Sequence, residues 1–376
     1  MEKPMNCYFD HSATTPVDLA VIEWMNQTQS TVFGNPSSSH AIGRKGKHIL
    51  ESARFQLAES LGCSPKEIIF TGSGTEANNL VLHHVASQKK KHIITSSIEH
   101  PAILKTLNHL KPFGITFTII PVDQYGAVDP KDIEKAIQSD TGLISIMAAN
   151  NEVGTVQPIE TISHIAKNNH ILFHSDGVQA LGKIRIQTLV NHCDLISFSS
   201  HKFYGPKGVG FLIKKESVKL NPFIVGGGQE SNLRGGTENI VGIGAMSLAA
   251  EKAIQSLDER SILLTDLESL CIAGLKDFIP DVIIHGNMDS HIPGLISFAI
   301  PGIDNQKLLT QLDQAHIYAS SGSACHSGIS TPSEVLIALG VDEETNLSTI
   351  RISFGKDNTL EQVQYFLDTL KTILQL

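Results

Sequence analysis

Lys202 directly follows the apolar run 195–198, in the stretch Ser199-Ser200-His201-Lys202-Phe203-Tyr204-Gly205-Pro206-Lys207-Gly208. A single lysine is ordinarily a solvated surface charge. One placed after a buried strand, among polar residues and glycines, is suited to condense with an aldehyde. The aldehyde cofactor that lysines bind in this way is pyridoxal phosphate (PLP). Its pyridine nitrogen must stay protonated to draw electrons, so a carboxylate has to face it. Asp176 is the candidate, closing the run 171–175 in HSDGVQALGK. Gln179, three residues on, carries an amide that can donate to the ring oxygen. The same aspartate also reads as a helix N-cap after a strand. His100, in Ser97-Ile98-Glu99-His100-Pro101, offers a ring to stack on the pyridine, although a lone histidine is more often structural.

A phosphate needs a cradle. The run 68–71 leads into Gly72-Ser73-Gly74-Thr75-Glu76-Ala77-Asn78. Glycines permit close backbone approach, and the helix that follows offers free N–H groups and the positive end of its dipole. Thr75 adds a hydroxyl donor. The stretch also satisfies G-x-G-x-x-G/A, the dinucleotide fingerprint, and Glu99 stands at roughly the spacing of a ribose-binding carboxylate. At this stage a nicotinamide dinucleotide is a rival ligand, beside a glycine turn that binds nothing.

Cysteines occur at positions 7, 63, 193, 271 and 325. The odd count and the lack of a CxxC pair argue against a disulfide framework and a structural zinc site. A reducing compartment is the simplest home. No HExxH or histidine-rich tract appears, so no metal is expected. Cys193 and Cys271 sit in apolar or helical surroundings that suit a small buried residue. Cys63 follows a glycine, and Cys7 precedes a short apolar stretch. Cys325 differs: its segment 319–330, ASSGSACHSGIS, is built of glycines and small residues and is expected to move. A nucleophile on such a loop can enter a pocket and withdraw. Arg351 lies in a strand-like run near the C-terminus. Its guanidinium fork suits a substrate carboxylate, or equally a structural ion pair.

The elements that must position these residues are short apolar runs at 68–71, 92–95, 116–120, 143–147, 171–174, 195–198 and 209–213, separated by helical patterns. Asp129-Pro130 opens one helix, with Ile133, Ala136 and Ile137 on its buried face. Ile159, Ile162 and Ile165 mark another. Strands alternating with helices predict βαβ units and a mostly parallel sheet. After about Gly244 the pattern changes. The stretch 246–275 reads as one long helix, and the remainder as short strands with two helices. One of these is opened by a capping box at Thr331-Pro332-Ser333-Glu334 and stopped at Gly340. The other starts near Thr359 with Val363, Phe366, Leu367, Leu370, Ile373 and Leu374 on one face. The expectation is a large α/β domain over residues 15–255. A smaller α+β domain is made of residues 1–14 and 256–376 and carries the Cys325 loop.

Net charge is −9, and the densest basic run is Lys89-Lys90-Lys91, so no broad positive surface for a nucleic acid is expected. The N-terminus lacks the apolar core of a secretory signal, and no apolar run is long enough to span a membrane. A soluble, cytoplasmic protein is the expectation.

Taken together, YFDHSATTPVD, GNPSSSH, FTGSGTEANN, EHPAI, NNEVGTVQP, HSDGVQALGK, SFSSHKFYGPKGVG, GGGQESNLRGGTEN and SSGSACHSG occur in the order found in cysteine desulfurases. The chain resembles that family over nearly its whole length, within the class V aminotransferase group of fold type I PLP enzymes. The resemblance implies that Lys202 forms the Schiff base with PLP, that His100 stacks on the ring and serves as acid or base, and that Asp176 and Gln179 hold the ring. It assigns the phosphate to Gly74, Thr75, Ser199 and His201. It gives Asn151 a contact with cofactor or substrate, and Arg351 and, more weakly, Asn35 the substrate. Thr237 would reach the phosphate of a neighbouring subunit, which implies a homodimer. Cys325, as a thiolate, would take sulfur from L-cysteine as a persulfide and release alanine, with an iron–sulfur scaffold or tRNA thiolation as the destination of the sulfur. His326 follows Cys325 where many members carry Thr. Selenocysteine lyases also show Cys-His-Ser, so that activity is the alternative. A sulfur carrier or scaffold without turnover is the non-enzymatic one.

Overall fold

A computed structural model describes residues 5–322 and 331–376. Its strands are β1 (Cys7–Tyr8), β2 (Ile68–Thr71), β3 (His92–Ser96), β4 (Thr116–Ile120), β5 (Thr141–Ser145), β6 (Leu172–Asp176), β7 (Leu195–Ser199), β8 (Gly210–Lys214), β9 (Ile283–His285), β10 (Leu295–Ala299), β11 (Ile317–Tyr318) and β12 (Thr349–Ser353). A seven-stranded sheet runs in the order β2-β8-β7-β6-β5-β3-β4. It is parallel except for β8, which pairs antiparallel with both β2 and β7. The expected mostly parallel α/β sheet is therefore present.

Helices cover both faces of this sheet, and the strands are accordingly apolar on both. Ile94, Ile144, Ile196, Phe198 and Ile213 join one core, while Ile93, Leu143, Leu195 and Leu212 join another. This is the period of two that a strand imposes. The parallel strands end along one edge, which is where open α/β sheets bind ligands. Gly72–Gly74, His100, Asp176 and the turn holding Lys202 all follow strand ends on that edge.

Strand limits shift by a residue or a few. The run expected at 143–147 is instead Thr141–Ser145. The ladder to β3 already begins at Thr141 opposite His92, and the Met147 N–H is taken by Glu99 Oε1 at 2.8 Å instead.

The smaller unit packs the antiparallel sheet β12-β10-β9 and the parallel pair β1-β11 against the helices Leu257–Phe278, Asn305–Gln314 and Leu360–Leu374. Its core contains Leu267, Cys271, Phe298, Ile350, Ile352, Phe366 and Leu370. The expected helix over 246–275 is two helices, Ile240–Gln255 and Leu257–Phe278, separated at Ser256 (φ −93°, ψ 12°). The first buries Ile243, Met246 and Ala250 in the large core, whereas the second buries Leu264, Leu267 and Leu275 in the small one. The break falls where the chain changes cores, and uninterrupted apolar periodicity hides it.

The capping box expected at Thr331 is absent. Ser333 is the N-cap, its Oγ accepting from Leu336 N at 3.2 Å, and the helix is Glu334–Ala338. Gly340 stops it in the left-handed region (φ 82°), as the sequence suggests. Two further helices, Asn305–Gln314 and the short Glu343–Leu347, were not anticipated. The last helix does begin at Thr359, with a capping box to Gln362, and buries Val363, Phe366, Leu367 and Leu370. Among the described residues, no helix is long and apolar enough to cross a membrane.

Candidate active site

A cavity of about 370 Å³ opens along the strand-end edge of the large sheet. Its wall brings together Gly74, Thr75, His100, Asn151, Asp176, Gln179, Ser199, His201, Lys202 and Arg351. These come from the ends of five strands of the large sheet and the segments that follow them, and from one strand of the small sheet. Gly322 also lines it. Cys325 lies three residues further on, outside the described residues.

Lys202 ends a one-turn 3-10 helix, Ser200–Lys202, that caps β7. Its Nζ donates to the carbonyls of Ser12 and Ala13, both at 2.7 Å. Asp176, the last residue of β6, is buried. Its Oδ2 accepts from Asn78 Nδ2 at 2.7 Å and its Oδ1 from the Val178 N–H at 3.0 Å. The helix N-cap reading of Asp176 is not met: a turn follows it, and the Val178 contact belongs to that turn.

His100 is the N-cap of the helix Pro101–Leu110, its Nδ1 accepting from Ala102 N at 3.0 Å. Burial pulls its pKa down. The charge of Lys202 acts in the same direction, while Asp176 opposes both. A neutral imidazole at physiological pH follows. His201 is likewise pulled down, to about 4, by burial and by the lysines at 202, 207 and 183. Its Nδ1 pairs with Thr14 Oγ1 at 3.1 Å.

The glycine-rich turn is close-packed. A Cβ on Gly74 would meet Val178 Cγ2 at 2.7 Å, and one on Gly210 would meet the Phe198 carbonyl at 2.5 Å and Ser73 C at 2.7 Å. The glycines let this turn sit against β7 and β8, with the N-terminus of Gly74–Ala86 directed at the cavity. The second Gly is thus needed for packing, and Ser73 supplies the cap, its Oγ accepting from Glu76 N at 3.1 Å.

Glu99 is not a ribose ligand. It is fully enclosed, accepts from Ser96 Oγ at 2.6 Å and Met147 N at 2.8 Å, and has an unpartnered Oε2. Burial pushes its pKa up to about 8, with the Asp176 charge adding to the rise. Because the folded value lies above the unfolded one, stability falls as pH rises from about 4.5 to about 8 and then levels. Glu99→Gln should abolish that slope. The variant should match the parent near pH 5 and melt several degrees above it at pH 8, by thermal denaturation at both pH values.

Arg351, on β12, is almost wholly buried. Its Nη1 donates to the Asn151 carbonyl at 2.9 Å, and its Nη2 to Asp10 Oδ1 and Ser320 Oγ, each at 2.7 Å. The ion pair is therefore real, and among the described residues Nε has no hydrogen-bond partner. Asn35 and Thr237 do not line the cavity. Both are exposed, and Asn35 Oδ1 accepts from Ser37 N at 2.9 Å.

Ser12, Ala13, Asn78 and Asp10 were not singled out from the sequence. Ser12 is the hub: its carbonyl takes Lys202 and Gln179 Nε2, its Oγ donates to the Asn151 carbonyl at 2.7 Å, and its N–H goes to Ser353 Oγ at 2.8 Å. The motif YFDHSATTPVD was the available signal.

The cysteines separate by environment. Cys7, Cys193 and Cys271 are buried and Cys63 partly so, and all four are unpaired. Burial pushes Cys7 up to about 11 and Cys63 up to about 12, and Cys193 and Cys271 higher still. None of these can supply a thiolate near neutral pH.

The model of the aminotransferase class V family matches residues 7–366. A "Cysteine desulfurase IscS" of Dictyoglomus turgidum is 43% identical over 371 residues, covering 98% of this chain and 94% of that protein. "Cysteine desulfurase, mitochondrial" of Arabidopsis thaliana is 40% identical, covering 95% and 80%. Among solved structures, a "NifS-like protein" superposes with a TM-score of 0.93 at 40% identity over 99% of this chain and 100% of that one. "SspA in complex with cysteine" superposes with a TM-score of 0.79 at 35% identity, over 93% and 98%. The chain belongs to the class V aminotransferases and, within them, to the cysteine desulfurases. These are PLP enzymes, and the donor set fits the cofactor. One buried carboxylate suits the pyridinium, one lysine the aldehyde, and a glycine-tight helix N-terminus with hydroxyls the phosphate.

Proposed function

We propose that the chain takes sulfur from L-cysteine, releasing L-alanine and leaving a persulfide on Cys325. The observation that carries the reading is the single cavity that gathers Lys202, Asp176, His100, Gln179 and Arg351 from separate elements. When bound, PLP supplies an electron sink that stabilises negative charge at the substrate Cα and weakens its Cβ–S bond. Asp176 keeps the pyridine nitrogen protonated, and its own bond to Asn78 holds it in place. Gln179 would donate to the ring oxygen. Gly74, Thr75, Ser199 and His201 receive the phosphate, His201 as a neutral donor. Neutral His100 would flank the ring and could accept a proton. Lys202 moves the proton at the substrate Cα. Arg351 takes the substrate carboxylate, and Asn151, tied to it and to Ser12, borders the substrate. Cys325, as thiolate, attacks the substrate sulfur. The S–C bond breaks, an S–S bond forms, and a proton replaces sulfur on Cβ to give alanine.

The exposed Thr237 and Asn35 are assigned to a site completed by a second copy, Thr237 reaching its phosphate. A sulfur-accepting protein such as an iron–sulfur scaffold then discharges the persulfide. The large domain is drawn at residues 15–255 and the small one at 1–14 and 256–376. No observation favours selenocysteine as the substrate. Alanine release from L-cysteine and L-selenocysteine, assayed in parallel, tests this. Alanine and sulfide in equal amounts from L-cysteine under reducing conditions are expected. Release from L-selenocysteine alone would contradict the reading.

A further inference from the structure

We propose that Lys183 is a positioning residue that fixes the orientation of the Gln179 amide toward the cofactor ring. The inference rests on the reading above that Gln179 holds the ring. Lys183 stands four residues beyond Gln179 in the turn 178–183 that follows β6, and its Nζ donates to Gln179 Oε1. On the other side, Gln179 Nε2 donates to the Ser12 carbonyl at 2.9 Å. That same carbonyl accepts from Lys202 Nζ at 2.7 Å. A continuous chain therefore runs from Lys183 through Gln179 and Ser12 to the lysine that binds PLP.

The chain has only one consistent polarity. An amide has two nearly isosteric ends, and its partners decide which way it faces. An N–H of Lys183 donates to the amide oxygen whether the amine is charged or neutral. The Ser12 carbonyl accepts only, so it must meet the amide nitrogen. Both constraints agree, and they leave the second N–H of Nε2 for the ring oxygen of PLP. Without Lys183 the oxygen loses its anchor, and the amide is held from one side only.

Lys183 is also poorly placed to be a plain structural ion. It lines a small enclosed space of about 20 Å³ with His11, Lys202 and Arg260, and no carboxylate lines that space. Burial depresses its pKa, and the charges of Lys202, Arg351 and Arg260 depress it further. Among the described residues Lys183 has no ion pair, whereas its bond to Gln179 gives the buried amine a polar partner.

The test is a double-mutant cycle on the purified holoenzyme. It reads the visible absorbance of bound PLP and the rate at which PLP is lost on dialysis. Lys183→Met should shift the absorbance and speed PLP loss about fivefold or more, the loss of one hydrogen bond. Lys183→Arg, which keeps an N–H donor, should behave as the parent and covers the case in which the methionine variant fails to fold. Gln179→Leu should shift the absorbance by itself. In that background Lys183→Met should add nothing. A Lys183→Met variant that changes melting temperature alone would overturn the inference. So would an undiminished effect in the Gln179→Leu background. A Gln179→Leu variant indistinguishable from the parent would instead sink the reading that Gln179 holds the ring.

Discussion

Lys202→Ala is expected to give a protein that turns over L-cysteine at least about 10³-fold more slowly and cannot be fixed to PLP by borohydride. Two roles are lost at once, the covalent hold on the cofactor and the base at the substrate Cα. The phosphate donors are untouched, so PLP can still associate, and the two effects separate by experiment. In the parent, borohydride should leave one PLP on the peptide that contains Lys202. In the variant the cofactor should wash away on denaturation. Lys202 Nζ rests on two main-chain carbonyls, Ser12 and Ala13, at 2.7 Å. Those acceptors do not depend on side-chain identity, so the substitution removes chemistry with little disturbance to packing. Turnover within tenfold of the parent would contradict the role.

Cys325→Ala should do the opposite. PLP should remain bound with an unchanged absorbance, while sulfur release from L-cysteine falls on the order of 10³-fold or more. Among the described residues, every cysteine has its thiol pushed up by burial, Cys63 to about 12 with the Glu67 charge contributing. Such thiols stay protonated and inert near neutral pH. Cys63→Ser, the least buried of them, should therefore leave the rate near the parent value. Full activity in Cys325→Ala would remove the persulfide step from the account.

Much of the site was legible because its chemistry sits on side chains placed next to strand ends. A strand buried on both faces announces itself as a short apolar run, and polar residues immediately after it fall on the binding edge. Lys202, Asp176 and His100 were found in this way. Ser12 was not, because it acts mainly through its main-chain carbonyl, which any residue provides. The Asp10 partner of Arg351 lies 341 residues away in sequence, a separation that no local pattern encodes. Glu99 was misleading for the same reason: its spacing from the glycine turn suits a dinucleotide, but tertiary packing encloses it and keeps it protonated. The helix break at Ser256 was missed because buried apolar residues continue on both sides of it and only the cores they join differ. At Thr331 the pattern of a capping box was present, yet Ser333 two residues later competes for the same helix start and takes it.

The most direct test of the central claim is mass spectrometry of the protein after brief exposure to L-cysteine without reductant, with thiols blocked before digestion. The account predicts one added sulfur atom on the peptide containing Cys325, removed by a thiol reductant and missing from both Cys325→Ala and Lys202→Ala. Added sulfur on another cysteine, or alanine release with no sulfur on Cys325, would contradict it.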